Sequence, residues 1–391
     1  MCDGCHPLLP SVAVHTRNGG YRRASIRLGV TALTCAVVTM VPFVGTSAAN
    51  PNAINPIPGL NGVNGLPELR GRTQVVAQQT GMLSTNRTQD LNVLGTDLGV
   101  MWDNGRGQVL TAFGDTAGLG LPNLLSGSIW AWRSSSLFRS SDRNLADGMT
   151  FDSAARDFFG QAKELVPSPK IPFLEISRIP TAGIAVGDTQ FLSLMSVKNW
   201  GPAGSWETNF SGLAFSHDNG ENWTVAPQTE RPNADGNRNF QMGAFVRHGG
   251  FVYQYGTPPG RGGPVHLARV PEQQILDLAA YEYWDGSAWV RDVNAARPVM
   301  TGGAAELSVQ WNDHLGQFVL LTTDAHNSVV LRRAPSPTGP WSAPEVVLDT
   351  RELPTAYGAY IHPWSSGPDL YFLTTVHQNY NVLLLRTTLH P

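Results

Sequence analysis

Two aspartates carry the first chemical signal in this sequence. They stand in Thr96-Asp97-Leu-Gly and in Phe113-Gly-Asp115-Thr, on either side of an Asp-Asn-Gly-Arg-Gly turn. A turn at Asn104 to Gly107 predicts that Asp103 pairs with Gln108. Counting back along that antiparallel ladder sets Asp97 opposite Gly114, beside Asp115. Opposed Cβ atoms on such a ladder lie about 5 Å apart, so two carboxylates are expected at one rim of a hairpin. Gly114 would relieve the strand where Asp115 turns. Two carboxyl groups facing a cleft are the minimum equipment for cleaving a glycosidic bond: one protonates the leaving oxygen, and the other serves as base or nucleophile. Their closeness raises one pKa and keeps that group protonated. Asp115, at a strand end after Gly114, is the expected acid, and Asp97 the expected base that activates water. Inversion is the expected outcome, with carboxyl carbons farther apart than the about 5 Å of a retaining pair. The plainer alternative is that both residues are turn-capping aspartates.

Other polar residues can join them. Glu175 precedes one apolar group of the chain, Glu306 opens another and His362 opens the last. Arg261 sits in a Gly-rich loop, Gly256-Thr-Pro-Pro-Gly-Arg261-Gly-Gly, that lacks the Lys-Ser/Thr of a phosphate loop. Each of these four is a candidate substrate-binding residue, with a purely structural role as the bland alternative. Trp200, Trp206, Tyr255, Trp284, Tyr357 and Trp364 offer faces that could stack on sugar rings, although most tryptophans are expected in the core. Trp284 is the aromatic candidate carried into the substrate site. The sequence holds no HExxH and no Cys/His cluster, so neither metal nor cofactor is expected. It holds no G-x-S-x-G elbow for Ser-His-Asp hydrolysis.

These side chains need a frame. From Thr73 onward, short apolar segments recur with turn signals between them. Five groups stand out: Gly95 to Phe138, Ile184 to Val225, Phe240 to Val290, Glu306 to Leu348, and Gly358 to Leu389. Each holds three or four short strands. One such blade cannot bury both faces alone, so copies must pack around an axis. The expected fold is all-β, a five-bladed β-propeller over 73–391, and a two-sheet sandwich is the alternative. The N-terminal arm could add a strand that closes the ring, and Gln273 to Tyr281 is the single expected helix. Ser216-His-Asp218-Asn-Gly220-Glu-Asn-Trp223 fits S-x-D-x-G-x-x-W, a hairpin turn of propellers that is structural rather than catalytic. Trp341, in Gly339-Pro-Trp341, is expected to serve packing.

Composition fits this frame. The 391 residues include 41 Gly and 28 Pro, too many for long helices, and 15% are charged. With 41% hydrophobic residues and 11 Trp the chain is not a disordered polyelectrolyte. The net charge is -3, and -6 once the four Arg and one Asp of residues 1–49 are set aside, a mildly acidic balance that does not suit a nucleic-acid or anionic-bilayer partner. Residues 1–49 read as a secretory signal: Arg17, Arg22, Arg23 and Arg27, then an uncharged run from Leu28 to Val44, then Ser47-Ala-Ala. An uncleaved membrane anchor is the alternative. Residues 50–72, rich in Pro, Gly and Asn, read as a linker or arm. All 3 cysteines, Cys2, Cys5 and Cys35, fall in the leader, so the mature chain must rely on its core rather than on disulfides. A secreted or envelope-associated monomer without stable membrane insertion is expected, acting on a neutral polysaccharide.

An ordered set of stretches adds a resemblance. Thr96-Asp97-Leu-Gly, Phe113-Gly-Asp115-Thr, Ser216 to Trp223, Gly256 to Arg261, Leu267-Ala-Arg-Val, Ala280-Tyr-Glu-Tyr-Trp284 and Glu306-Leu-Ser-Val together resemble the family described as domain of unknown function 4185, grouped as glycoside hydrolase family 183. The likeness runs from about Gly81 to the C-terminus. It implies a five-bladed propeller with endo-D-arabinanase activity on the α-D-arabinofuranosyl chains of arabinogalactan and lipoarabinomannan in mycobacterial-type envelopes. It also implies that Asp97 and Asp115 do the chemistry. The rivals are a non-catalytic envelope glycan-binding propeller and, within enzymes, a sialidase or an L-arabinanase.

Overall fold

The computed structural model describes residues 66–120 and 130–390. The leader expected over 1–49, with all three cysteines, and most of the arm expected over 50–72 lie outside the described residues.

The described chain is built from strands, because its apolar segments are short, rich in β-branched and aromatic residues, and cut by Gly- and Asn-containing turns. Strand β1 (Thr73–Gln78) comes first in sequence. The first blade holds β2 (Gly95–Asp103), β3 (Val109–Leu119), β4 (Trp130–Arg133), β5 (Ser136–Ser140) and β6 (Ser153–Ala154). The second holds β7 (Ser177–Val186), β8 (Thr189–Trp200), β9 (Trp206–Ser216) and β10 (Thr224–Pro232). The third holds β11 (Met242–His248), β12 (Phe251–Thr257), β13 (Gly263–Pro271), β14 (Glu282–Trp284), β15 (Trp289–Val290) and β16 (Pro298–Ala304). The fourth holds β17 (Leu307–Asn312), β18 (Gln317–Thr323), β19 (Val329–Ala334) and β20 (Glu345–Leu348). The fifth holds β21 (Ala356–Ile361), β22 (Asp369–Val376) and β23 (Asn381–Thr388), and β1 completes it.

The first strands of the five sheets, β2, β7, β11, β17 and β21, neighbour one another in that cyclic order and close on β2. The fold is therefore a five-bladed β-propeller with these strands lining the axis. Pairing of β1 with β23, Val75 opposite Leu385, makes an N-terminal strand the outer edge of the last blade and ties the chain into a ring. Each blade is covered on both sides by a neighbour, so its middle strands, such as β12 and β18, read as unbroken apolar runs rather than as alternation. Val382, Leu383, Leu384 and Leu385 are all buried for this reason. Four apolar clusters fill the wedges between blades, the largest joining the first, second and fifth and taking in Met242 of the third.

Two local expectations resolve differently. Gln273 to Tyr281 is not a helix but two short 3-10 turns, Glu272–Gln274 and Leu278–Ala280. Asp277 takes an extended conformation between them and caps the second by accepting from the Ala279 N–H. The β2–β3 hairpin pairs Asp103 with Val109, not Gln108. Asn104 Oδ1 accepts the N–H groups of Arg106 and Gln108, and this draws Gln108 into the turn.

The turn from Ser216 to Trp223 joins β9 to β10 and is held from within. Asp218 Oδ1 accepts from the Ser216 hydroxyl at 2.7 Å and from the Asn222 N–H at 2.8 Å. Gly220 has φ +79, and a Cβ there would press on Leu137 at 3.1 Å. Trp223 packs edge-on against Trp102 of the first blade. The motif locks one blade to the next.

Candidate functional site

Two irregularities in the β2–β3 hairpin build the site. Register shifts flank Leu98: Thr96 pairs with Thr116, Leu98 with Phe113 and Val100 with Ala112. Gly99 is thus an extra residue on β2, and Asp97 faces both Gly114 and Asp115 on β3. Bulges of this kind re-aim side chains at strand ends. Leu98 takes a left-handed φ of +65, costly for a branched residue, and its N–H donates to Thr375 Oγ1 of the fifth blade at 2.7 Å. Gly114 is required here, since a Cβ at this position would lie 2.3 Å from Asp97 Oδ1.

The beginnings of the inner strands converge on the pair. Tyr357, at the start of β21, donates its hydroxyl to Asp97 Oδ2 at 2.8 Å, and the Tyr380 hydroxyl acts on the same carboxyl in favour of its charge. Asp115 is buried, and its Oδ1 accepts from Ser177, the first residue of β7, and from Trp132 Nε1 at 3.0 Å. Tyr380 stacks on Trp132 at 6.1 Å, and His377 stands between Tyr380 and Tyr357. The carboxyls therefore sit against an aromatic wall from the first and fifth blades.

Both carboxyls are held far from their ordinary pKa. Burial, reinforced by the charge of Asp115, pushes Asp97 up to about 8 against the pull of the Tyr357 and Tyr380 hydroxyls. Burial pushes Asp115 up to about 7, opposed by the hydrogen bonds from Ser177 and Trp132 and by Lys170.

Arg261 and Glu306 reach the same end. Arg261, on the β12–β13 loop, grips Glu306 through Nε at 3.1 Å and Nη2 at 2.8 Å. Its guanidinium lies 4.6 Å from the Tyr357 ring and 5.8 Å from the Trp206 ring. Burial works against the Arg261 charge, but Glu306 outweighs it and the net shift is upward. Arg261, Tyr357 and Asp97 thus form one connected chain of contacts. Glu175 lies just before β7 and close to Ser177, but both its oxygens are occupied: Oε1 by Arg178 Nε at 2.9 Å and Oε2 by the Ser196 hydroxyl. It braces the second blade rather than facing the pair.

Trp284 and His362 lie elsewhere, which corrects their expected placement. Trp284 is in β14, the fourth strand from the axis, and packs on Trp289 at 5.3 Å. His362 follows the end of β21 rather than preceding its start. It is fully buried beside Trp364, whose Nε1 donates to Asp103 at the far end of β2. Among the stacking candidates, Tyr255 is a core residue bonded to the Pro337 carbonyl, and Trp341 packs on it. Trp200 and Trp206 pack edge-on at the β8–β9 turn. Ser177, Trp132, His377 and Tyr380 are new to the site. They come from three separated segments, and no local pattern announces them.

Chemically, the arrangement offers two carboxyls that share a water-poor rim and titrate near neutrality, with a fixed cation and aromatic faces beside them. Such a pair can give and take protons near neutral pH, with aromatic faces beside it.

Comparison with known proteins agrees with this architecture. Residues 83–386 match the family described as "Domain of unknown function (DUF4185)". Notoamide biosynthesis cluster protein J from Aspergillus sp. (strain MF297-2) is 30% identical over 304 residues, covering 72% of this chain and 80% of the relative. The cluster protein J' of Aspergillus versicolor is 31% identical over 294 residues, with coverages of 70% and 78%. A putative hydrolase from Bacteroides ovatus shares the fold with a TM-score of 0.55 at 14% identity, covering 76% of this chain and 88% of that one. Zg3597, a family 117 glycoside hydrolase from Zobellia galactanivorans, does so with a TM-score of 0.50 at 11% identity, covering 82% and 91%. At those identities the likeness is one of fold. With a match running through all five blades, the chain belongs to the DUF4185 family.

Proposed function

We propose that the protein is a secreted, endo-acting glycoside hydrolase that cleaves α-D-arabinofuranosyl linkages of arabinan in arabinogalactan- and lipoarabinomannan-type polymers. The observation that carries the hydrolase reading is the bulged hairpin that sets a half-buried Asp97 beside the buried Asp115, both raised toward neutrality. The arabinan specificity rests on the ordered motif resemblance and not on pocket geometry.

On this reading the roles run in the reverse of the expected order. Asp115 Oδ1 accepts two hydrogen bonds, which favour its ionised form. Asp97 stands beside a second acid whose charge adds to the effect of burial, whereas Lys170 opposes the rise at Asp115, so Asp97 is the one kept protonated. Asp97 is then the acid that protonates the leaving glycosidic oxygen. Asp115 is the base that draws a proton from the attacking water, with inversion at the anomeric carbon. Asp97 ends ionised and Asp115 protonated, and exchange with solvent restores the pair. Arg261 and the Trp132–Tyr380 wall hold the sugar across the axial end.

A second reading is favoured by one finding: relatives about 30% identical are named for a biosynthetic cluster. On that reading the same carboxyl pair serves acid–base chemistry on a small molecule. A panel of arabinogalactan, L-arabinan, a sialoside and aryl arabinofuranosides separates the two. Release of oligosaccharides from arabinogalactan supports the proposal, and inertness toward the whole panel rejects it.

A further inference from the structure

Arg231 lies in β10 and faces the third blade, away from the carboxyl pair. It is 3% exposed. Its Nη1 donates to the Tyr283 hydroxyl at 2.6 Å and to Asn237 Oδ1 at 3.2 Å. Rings of Tyr281, Phe240 and Tyr283 surround its Cζ at 4.7, 5.3 and 5.4 Å. Its Nη2 is buried with no partner. None of the ion pairs among the described residues includes it. A buried cation without an anion is costly, and aromatic faces offset only part of that cost.

Arg231 also lines a small cavity between the second and third blades, of about 10 Å³, together with Ser193, Ser211, Thr229, Gln254 and Tyr281. Such a space holds one particle of about the size of a water molecule. Ser211 and Thr229 direct their hydrogens to the carbonyls of Phe240 and Ala226. Ser193 Oγ accepts from Thr181 at 3.0 Å and so can still donate its own hydrogen. Gln254 brings an amide NH₂. No carboxylate lines the cavity.

We infer that this cavity is a binding site for a single monatomic anion of chloride size, held by the Arg231 guanidinium with Ser193 and Gln254 as further donors. The ion would neutralise Arg231 and pin β10 to the third blade. The site is independent of the chemistry at Asp97 and Asp115.

Two measurements test this. The first is thermal unfolding of the whole protein against sodium chloride or bromide, with gluconate keeping ionic strength constant. The second is bromide anomalous diffraction from crystals. The expected results are a saturable, halide-specific rise in Tm and a bromide peak within hydrogen-bonding distance of Arg231. Gln254→Leu should raise the halide midpoint about tenfold, and Arg231→Met should abolish the rise. If Arg231→Met does not fold, the Gln254→Leu titration and the bromide map decide. Equal effects of halide and gluconate, or an empty or water-filled cavity at saturating bromide, would overturn the inference.

Discussion

Tyr357 donates its hydroxyl to Asp97 Oδ2 across the seam between the fifth and first blades, at 2.8 Å and 260 residues apart in sequence. This bond is the larger of two brakes on the Asp97 pKa, the other being the Tyr380 hydroxyl. It stabilises the ionised form of Asp97, whereas burial and Asp115 stabilise the protonated form. Removing it should push Asp97 higher still. Tyr357→Phe is expected to move the alkaline limb of the activity profile up by about one pH unit, the equivalent of one hydrogen bond to a charge. A pH–rate profile of the variant checks this. An unmoved alkaline limb would separate Tyr357 from the acid.

The wild-type profile itself should be narrow. Asp115, raised to about 7, must be ionised to act as base, and Asp97, raised to about 8, must be protonated to act as acid. Activity should rise through about pH 7 and fall through about pH 8, as limbs that belong to the coupled pair. Initial rates between pH 5 and pH 10 test this. A plateau extending down to pH 5 would contradict it.

Raised carboxyl pKa values also cost stability, with a definite sign. Below its ordinary value of 3.8, Asp97 is protonated in both the folded and the unfolded chain, so it contributes nothing. As pH climbs from about 4 to 8, the unfolded chain loses that proton while the folded chain keeps it, and stability declines. Asp97→Asn should therefore be more stable than the wild type by about 2–4 kcal/mol at pH 8 and by almost nothing at pH 4. Chemical denaturation at the two pH values provides the comparison. A variant less stable at pH 8 would mean that the Asp97 environment is built for charge.

Gly114 supplies the space that the pair needs. A methyl group there meets Asp97 Oδ1 at 2.3 Å and Leu98 Cδ1 at 3.0 Å. Gly114→Ala should cost about 10- to 100-fold in kcat by displacing Asp97, while the propeller stays folded. Circular dichroism with steady-state kinetics resolves these two effects. Full activity in this variant would show that the bulge does not set the geometry.

Five blades were legible in the sequence because each is covered on both sides. Runs such as Val382-Leu-Leu-Leu385 and Phe318-Val-Leu-Leu321 have no solvent face and stand out between Gly- and Asn-containing turns. The carboxyl pair was legible through two deviations that cancel. The hairpin turn takes in one more residue than the Asn-Gly-Arg-Gly count allows, and the bulge at Gly99 shifts the ladder back before Asp97. Placement around the pair was not legible, because it depends on which strand of a blade is innermost and which end of the ring that strand starts from. His362 sits past the end of β21, and Tyr357 sits at its start. Trp284 belongs to an outer strand, where its aromatic face meets only Trp289 and the blade. Ser177 and Tyr380 reach Asp115 and its wall from blades far away in sequence, and no local spacing encodes such contacts.

The most direct measurement is digestion of purified mycobacterial arabinogalactan by the wild type, Asp97→Asn and Asp115→Asn, with sizing of the products and parallel polymer-binding assays. Arabinan oligosaccharides are expected from the wild type. Both variants should lose about 100- to 10 000-fold in rate, with binding retained. Hydrolysis that survives either substitution, or binding by the wild type without any cleavage, would contradict the proposed function.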